Sequence, residues 1–178
     1  MLFHTASIEA ISKLLSNPTW DLLAILFFLA FGFFYGILAR GKRLLAVLFS
    51  TYISILVLNN LFSHFSHLDF FTKEKELLEI FLFRSALLLT FIVLLGILFN
   101  KTIFRGINRV KKWWQIFILS FLETGLIISA ILQLMPTKEL LPFSPIVGFL
   151  FVSSDSFFWW LIIPLIALIF VAKKPKVD

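Results

Sequence analysis

Cysteine is absent from the chain, so disulfides, thiolate metal sites and cysteine nucleophiles are excluded. Charge is scarce as well: Asp, Glu, Lys and Arg together make 15% of the residues, where soluble domains carry about a quarter. The motifs of common catalytic centres are missing too. The sequence holds no HExxH, no GxSxG, no Walker A loop and no glycine-rich dinucleotide fingerprint. It also has no pair of intramembrane aspartates of the kind an aspartyl protease needs. These absences point away from an enzyme and from a bound cofactor.

What fills the space is apolar. The hydrophobic fraction is 60%, with 24 phenylalanines in 178 residues. A soluble protein of this size has too little interior to hide so much apolar surface, whereas lipid tails solvate it directly. Once the apolar stretches are removed, no soluble domain of useful size remains. Residues 1–178 therefore read as a single membrane domain, all-α and polytopic, with about five transmembrane helices.

The spans follow from the apolar runs and their punctuation. Thr5 to Ser16 places Ile8, Ile11, Leu14 and Leu15 on one face, which predicts a short interfacial helix or a frayed polar terminus. With only Lys13 and no long apolar core, this stretch lacks the pattern of a secretory signal. Asn17-Pro18 is a helix start, and Asp21 suits the first turn that follows. The spans are expected at 20–39, 44–62, 77–99, 113–135 and 157–172. Glu79 and Arg84 blur the start of the third, and Pro164 should kink the fifth. Between the fourth and fifth, Pro142 and Pro145 prevent a continuous helix, and the apolar run 146–152 is too short to cross. It reads as a re-entrant or interfacial piece.

The net charge of +6 is a matter of topology, since the basic residues cluster between spans. Arg40, Lys42 and Arg43 follow the first span. Lys101, Arg105, Arg109, Lys111 and Lys112 follow the third, and Lys173, Lys174 and Lys176 follow the fifth. Five spans put all three clusters on one side, which the positive-inside rule makes the cytoplasm. The N-terminus is then outside and the C-terminus inside. Four spans would strand the C-terminal lysines on the other side. Nucleic acid is not an expected partner; the bilayer is, together with a second copy of the chain or other membrane proteins.

Within the spans, Gly32 and Gly36 form a GxxxG, whose bare groove lets another helix approach closely. Chance spacing produces the same pattern in many spans. Glu123 lies ten residues past Trp113, about 15 Å into the membrane. A carboxyl at that depth is costly and faces a partner or a wet cavity. Ser120 and Thr124 share its helix face, and Ser50, Thr51 and Ser54 of the second span lie at nearly the same depth, with Tyr52 nearby. These residues predict a polar cluster joining spans two and four. It reads either as a neutral carboxylic acid that ties helices together or as an ion or proton site. Arg84 is expected to snorkel to the outer interface rather than reach Glu123. His64 and His67 form H-x-x-H, near Asp69; two solvated histidines in a loop are the plainer reading, and no metal site is assigned. Trp113-Trp114 and Trp159-Trp160 read as interfacial aromatic belts, and the basic loop beside the first pair suits anionic lipid.

One order of features is familiar. Trp20-Asp21 opens a span carrying Gly32 and Gly36 that ends in Arg40-Gly41-Lys42-Arg43, with Leu44 opening the next span. Later come Ile107-Asn108-Arg109 and a span containing Leu122-Glu123-Thr124-Gly125-Leu126. Over residues 18–135 this resembles the bacterial colicin V production (CvpA) family. The resemblance implies a small inner-membrane protein of about four spans, tied to toxin production or export and to envelope homeostasis. It acts without catalysis, as an accessory or scaffold. The chain departs from that family in its fifth span and in having only Gly125 as a glycine of the fourth. A different reading of the same residues is a subunit of a small oligomeric channel or transporter with Glu123 lining the pathway.

The charge distribution makes a direct prediction. Reporter fusions after Arg43, Lys112 and Lys176 should all read cytoplasmic, and fusions near Asp69 and Lys138 external. A cytoplasmic signal at Lys138 would remove the five-span topology.

Overall fold

The structure, a computed structural model, describes residues 20–64, 77–102, 113–135 and 143–172. The interfacial segment expected at Thr5–Ser16, the cap at Asn17-Pro18 and most of the basic loops lie outside the described residues. Every regular element among those described is helical. α1 covers Trp20–His64, α2 Leu77–Thr102 and α3 Trp113–Gln133. α4 is the single turn Pro145–Val147, which runs into a π-helical turn at Gly148–Val152, and α5 is Ser154–Ala172.

Four stretches are long and apolar enough to cross a membrane: Trp20–Leu38, Lys42–His64, Leu77–Thr102 and Trp113–Gln133. The bent pair Pro145–Val152 and Ser154–Phe170 makes a fifth if it is counted as one span. The chain is therefore an all-α polytopic membrane protein. The second and third spans, Lys42–His64 and Leu77–Thr102, overrun the expected limits. α2 starts at Leu77 despite Glu79, because an acidic residue in a first turn is favoured by the helix dipole.

The junction of the first two spans falls where the basic cluster places it, between Leu38 and Lys42, and differs only in its backbone. The basic stretch 40–43 is not a non-helical loop, since α1 is helical through all 45 of its residues. Arg and Lys are good helix formers, Gly41 costs only about 1 kcal/mol, and no proline intervenes. A straight helix of that length would run about 68 Å, over twice the hydrocarbon thickness. It does not run straight. Gly36 lies against Ser120 and Gly32 against Thr124, so the first half of α1 is antiparallel to α3. In the second half, Leu44 clusters with Leu119 and Leu58 with Ala130, which is the parallel direction. The helix direction therefore reverses between Leu38 and Lys42.

The remaining helices follow the same up-and-down path. Gly96 of α2 faces Ser50 and Val47, while Leu88 and Ile92 cluster with Leu58. Further along, the Arg84 guanidinium sits 5.0 Å above the Phe62 ring. α2 is thus antiparallel to the second half of α1. α5 is antiparallel to α3: Phe157 packs in the cluster of Ala130, Trp160 covers Gly125, and Leu168 meets Leu44 and Leu119. The Leu38–Lys42 reversal, the end of α2, the start of α3 and the end of α5 consequently share one end of the bundle.

The stretch before α5 shows how a broken helix survives inside a membrane. A bend of 53° falls at Ser153, and α5 stays helical on both sides of the buried Pro164. Four successive carbonyls at the break receive side-chain donors. Trp160 Nε1 donates to Leu150 O (2.8 Å) and Ser129 Oγ to Phe151 O (3.0 Å). Gln133 Nε2 donates to Val152 O (3.0 Å) and Ser153 O (3.2 Å). On the other side of the break, the Ser156 N–H donates to Ser153 Oγ (3.1 Å). At the start of the segment, the Ser144 N–H donates to Asp21 Oδ2 (2.6 Å), tying it to the first turn of α1. Irregular backbone at membrane depth persists only where protein replaces the missing water.

Gln133→Leu takes the side-chain donor from Val152 O, while Ser153 O keeps the Phe157 N–H and the Ser156 hydroxyl. It should cost about 1–2 kcal/mol, and Ser129→Ala about 0.6 kcal/mol. Thermal unfolding in detergent measures both, and Gln133→Leu should be the more damaging.

Candidate intramembrane polar site

The candidate site is built on the α3 face that meets α1. Ser120 and Thr124, one turn apart, stand opposite Gly36 and Gly32. Because neither glycine carries a side chain, the α1 backbone comes close enough for Ser120 Oγ to donate to the Gly32 carbonyl. Thr124 Oγ1 donates to Ser120 O at 2.8 Å. A Cβ on Gly32 would fall inside the Thr124 side chain, and one on Gly36 inside that of Ser120. The two glycines of the GxxxG therefore sit in a close helix contact within one chain. Gly125, two residues past Glu123, makes a similar space that the Trp160 ring fills.

Glu123 is 4% exposed, in the interior between helices. Ser50, Thr51 and Ser54 are each fully buried. The Leu44–Leu119 and Leu58–Ala130 contacts bracket all four residues, so they occupy the same stretch of the bundle. The hydrogen bonds differ from the expected cluster. Ser50 Oγ donates to Ala46 O (2.7 Å) and Thr51 Oγ1 to Val47 O (2.9 Å), each back to its own helix. Tyr52 turns away and donates to Leu161 O of α5 (2.6 Å). Glu123 Oε2 and Ser54 Oγ are buried without a hydrogen-bond partner. The expected hydrogen-bonded link between spans two and four is thus not formed through Ser50 or Thr51. A hydroxyl has one proton, and in an apolar surrounding the carbonyl one turn back is its nearest acceptor.

One further expectation changes. Trp160 is not part of an interfacial belt: it lies level with Gly125, twelve residues and about 18 Å along α3 from Trp113. Its ring stacks on Phe151 at 5.2 Å and its N–H supports the helix break. Trp113 and Trp159, by contrast, are exposed. Arg84 rests on Phe62 toward the end of the bundle where α1 finishes, away from Glu123. Of the histidine motif, His64 ends α1, while His67 and Asp69 lie outside the described residues. Among the described residues no three His, Asp or Glu side chains stand together as metal ligands would.

Ser129, Gln133 and the Asp21–Ser144 contact were not anticipated. The signal was present in part. Ser129 and Gln133 are one turn apart on α3, and the proline-broken stretch that follows has carbonyls in need of donors.

Chemically, the arrangement offers one carboxyl held among apolar side chains and hydroxyls, able to carry a proton or to meet a donor from outside these helices. Against protein-family models, curated proteins and solved structures, the chain gives no match.

The glycines make a graded test. Gly32→Ala and Gly36→Ala should each lower stability by about 1–3 kcal/mol, since α3 must move away, and the Ile variants should lose more. Gly96→Ala is the control, because its added Cβ meets Ser50 Oγ and Val47 Cγ2 at an ordinary 3.7 Å. Thermal melting in detergent should leave that variant unchanged.

Proposed function

We propose that the protein is a non-catalytic accessory or scaffold protein of a bacterial inner membrane, similar in role to the colicin V production family, in toxin production or export and envelope homeostasis. The observation that carries this reading is how the polar side chains inside the spans are spent. Ser120 joins α3 to α1, Tyr52 joins α1 to α5, and Ser129 and Gln133 hold the break before α5. These bonds build a shaped bundle for presentation to other membrane components. The residues quoted from 18–135 supply the family likeness. In this reading the basic clusters face the cytoplasm, the N-terminus is outside and the C-terminus inside.

A second reading has one observation in its favour. Glu123 Oε2 and Ser54 Oγ are buried and unpartnered, and unsatisfied polar atoms in a membrane interior are costly. An oligomer in which Glu123 lines a conduction pathway would give that carboxyl an occupant.

Glu123 variants separate the two. For a scaffold, Glu123→Gln and Glu123→Leu should both fold and restore toxin export or envelope integrity to a deletion strain. The Leu variant should melt at the same temperature or higher, because no hydrogen bond from Ser50 or Thr51 is lost. For a pathway, the Gln variant should fold normally yet fail in complementation or flux. A folded, inactive Gln variant would overturn the scaffold reading.

A further inference from the structure

The first half of α1 and α2 do not close on each other. They flank a cleft whose floor is the second half of α1. At the bundle end shared by the Leu38–Lys42 reversal and the end of α2, this cleft is a cavity of about 520 Å³. Its lining is divided by chemistry. Tyr35, Arg43 and Asn100 stand at the mouth, while Val47, Ile92, Val93, Gly96 and Ile97 form the deeper wall. From Asn100 down to Ile92 the wall descends about 12 Å, close to the roughly 15 Å of hydrocarbon in one leaflet.

We propose that this cleft is a binding slot for one anionic phospholipid of the phosphatidylglycerol type, with its headgroup at Arg43 and an acyl chain along α2. Three observations support that occupant. The first is charge. Arg43 is exposed and has no carboxylate partner among the described residues. In sequence, the stretches that follow on from this end (39–43, 100–112 and 172–178) carry eleven Lys or Arg against one acidic residue, Asp178. A phosphodiester is the complementary group, and a guanidinium is well suited to it. The second is hydrogen bonding. Asn100 Oδ1 is buried without a donor, and Tyr35 lines the same cavity. A glycerol headgroup supplies hydroxyl donors, which the trimethylammonium of phosphatidylcholine lacks. The third is the wall itself. Val93 and Ile97 are exposed, so the wall is open on its outer side, and Gly96 lines it with backbone alone. A soluble anion has no use for that apolar length.

Lipid retention tests the slot. Protein reconstituted with an equimolar mixture of phosphatidylglycerol and phosphatidylcholine, then released from detergent in a native mass spectrometer, should keep one phosphatidylglycerol in preference to phosphatidylcholine. An excess of glycerol phosphate should not displace it. Arg43→Gln should reduce retention about fivefold, the effect of about 1 kcal/mol for one basic residue at a membrane surface. Val93→Trp keeps every charge but fills the cleft. Val93 is 57% exposed, so the variant should fold with unchanged circular dichroism and still lose the bound lipid. Ile97→Trp, at 51% exposed, is the second variant of the same kind. Equal retention of the two lipids would overturn the proposal. So would tryptophan variants that hold phosphatidylglycerol as the parent does, since attraction would then belong to the basic face as a whole. Displacement by glycerol phosphate would identify a site for soluble anions instead.

Discussion

The requirement that most shapes this protein is that each backbone carbonyl inside a bilayer must find a donor in the protein itself. Continuous helices meet it unaided, which is why α2 and α3 need little besides apolar side chains. The stretch from Ser144 to Ser153 does not meet it unaided, and the chain answers with three polar side chains from two neighbouring helices, Ser129, Gln133 and Trp160. Those bonds set where the end of α3 must stand and how α5 must lean. Trp160 in turn needs Gly125 for space, and so the position of α5 traces back to one missing side chain on α3.

Lipid offers no hydrophobic drive for helices to associate, so close packing has to supply it. The contact between α1 and α3 shows the geometry that works. Gly32 and Gly36 remove the bulk, and Ser120 and Thr124 provide the small polar surfaces that meet the exposed backbone. The second half of α1 uses another arrangement, with Leu44, Leu58, Leu88, Leu119 and Leu126 buried together with hydroxyls that bond to their own helices. Glu123 belongs to neither scheme. It is enclosed like a core residue but bonded like none of its neighbours, and for that reason it is the residue whose replacement is most informative.

The helical class and the spans were readable because a long apolar run has few alternatives. Its length alone separates a membrane span from a soluble helix, and its charged ends locate the turns. The GxxxG was legible for a similar reason: a glycine pair in a span has a direct steric meaning. Partnership among polar residues was not. Ser50, Thr51 and Tyr52 share a depth with Glu123, but depth does not fix direction around a helix axis, and a hydroxyl reaches the carbonyl one turn back on its own helix first. The place of Trp160 was not legible because position near a helix start suggests an interface, whereas the apolar segment 145–152 packs before that start and takes the Trp160 N–H on Leu150 O. The reversal at 40–43 was legible from its basic cluster, but its helical backbone was not, because such a cluster marks a change of environment and not a change of backbone conformation.

The first half of α1 is nearly unburied within the chain. It touches α3 along the glycine seam and the segment before α5 through Asp21, while its phenylalanines Phe27, Phe31 and Phe34 face outward. The other helices bury each other more fully. Detachment of this one span therefore forfeits the glycine seam, the Phe33–Phe117 ring contact and the ties of Asp21, and spares the contacts among the remaining helices. Free energy of opening is unevenly distributed in such a molecule. By its contacts the span is an outrigger on the hull formed by the other helices. Its departure would uncover Ser120 and Thr124, and with them the face of α3 that carries Glu123.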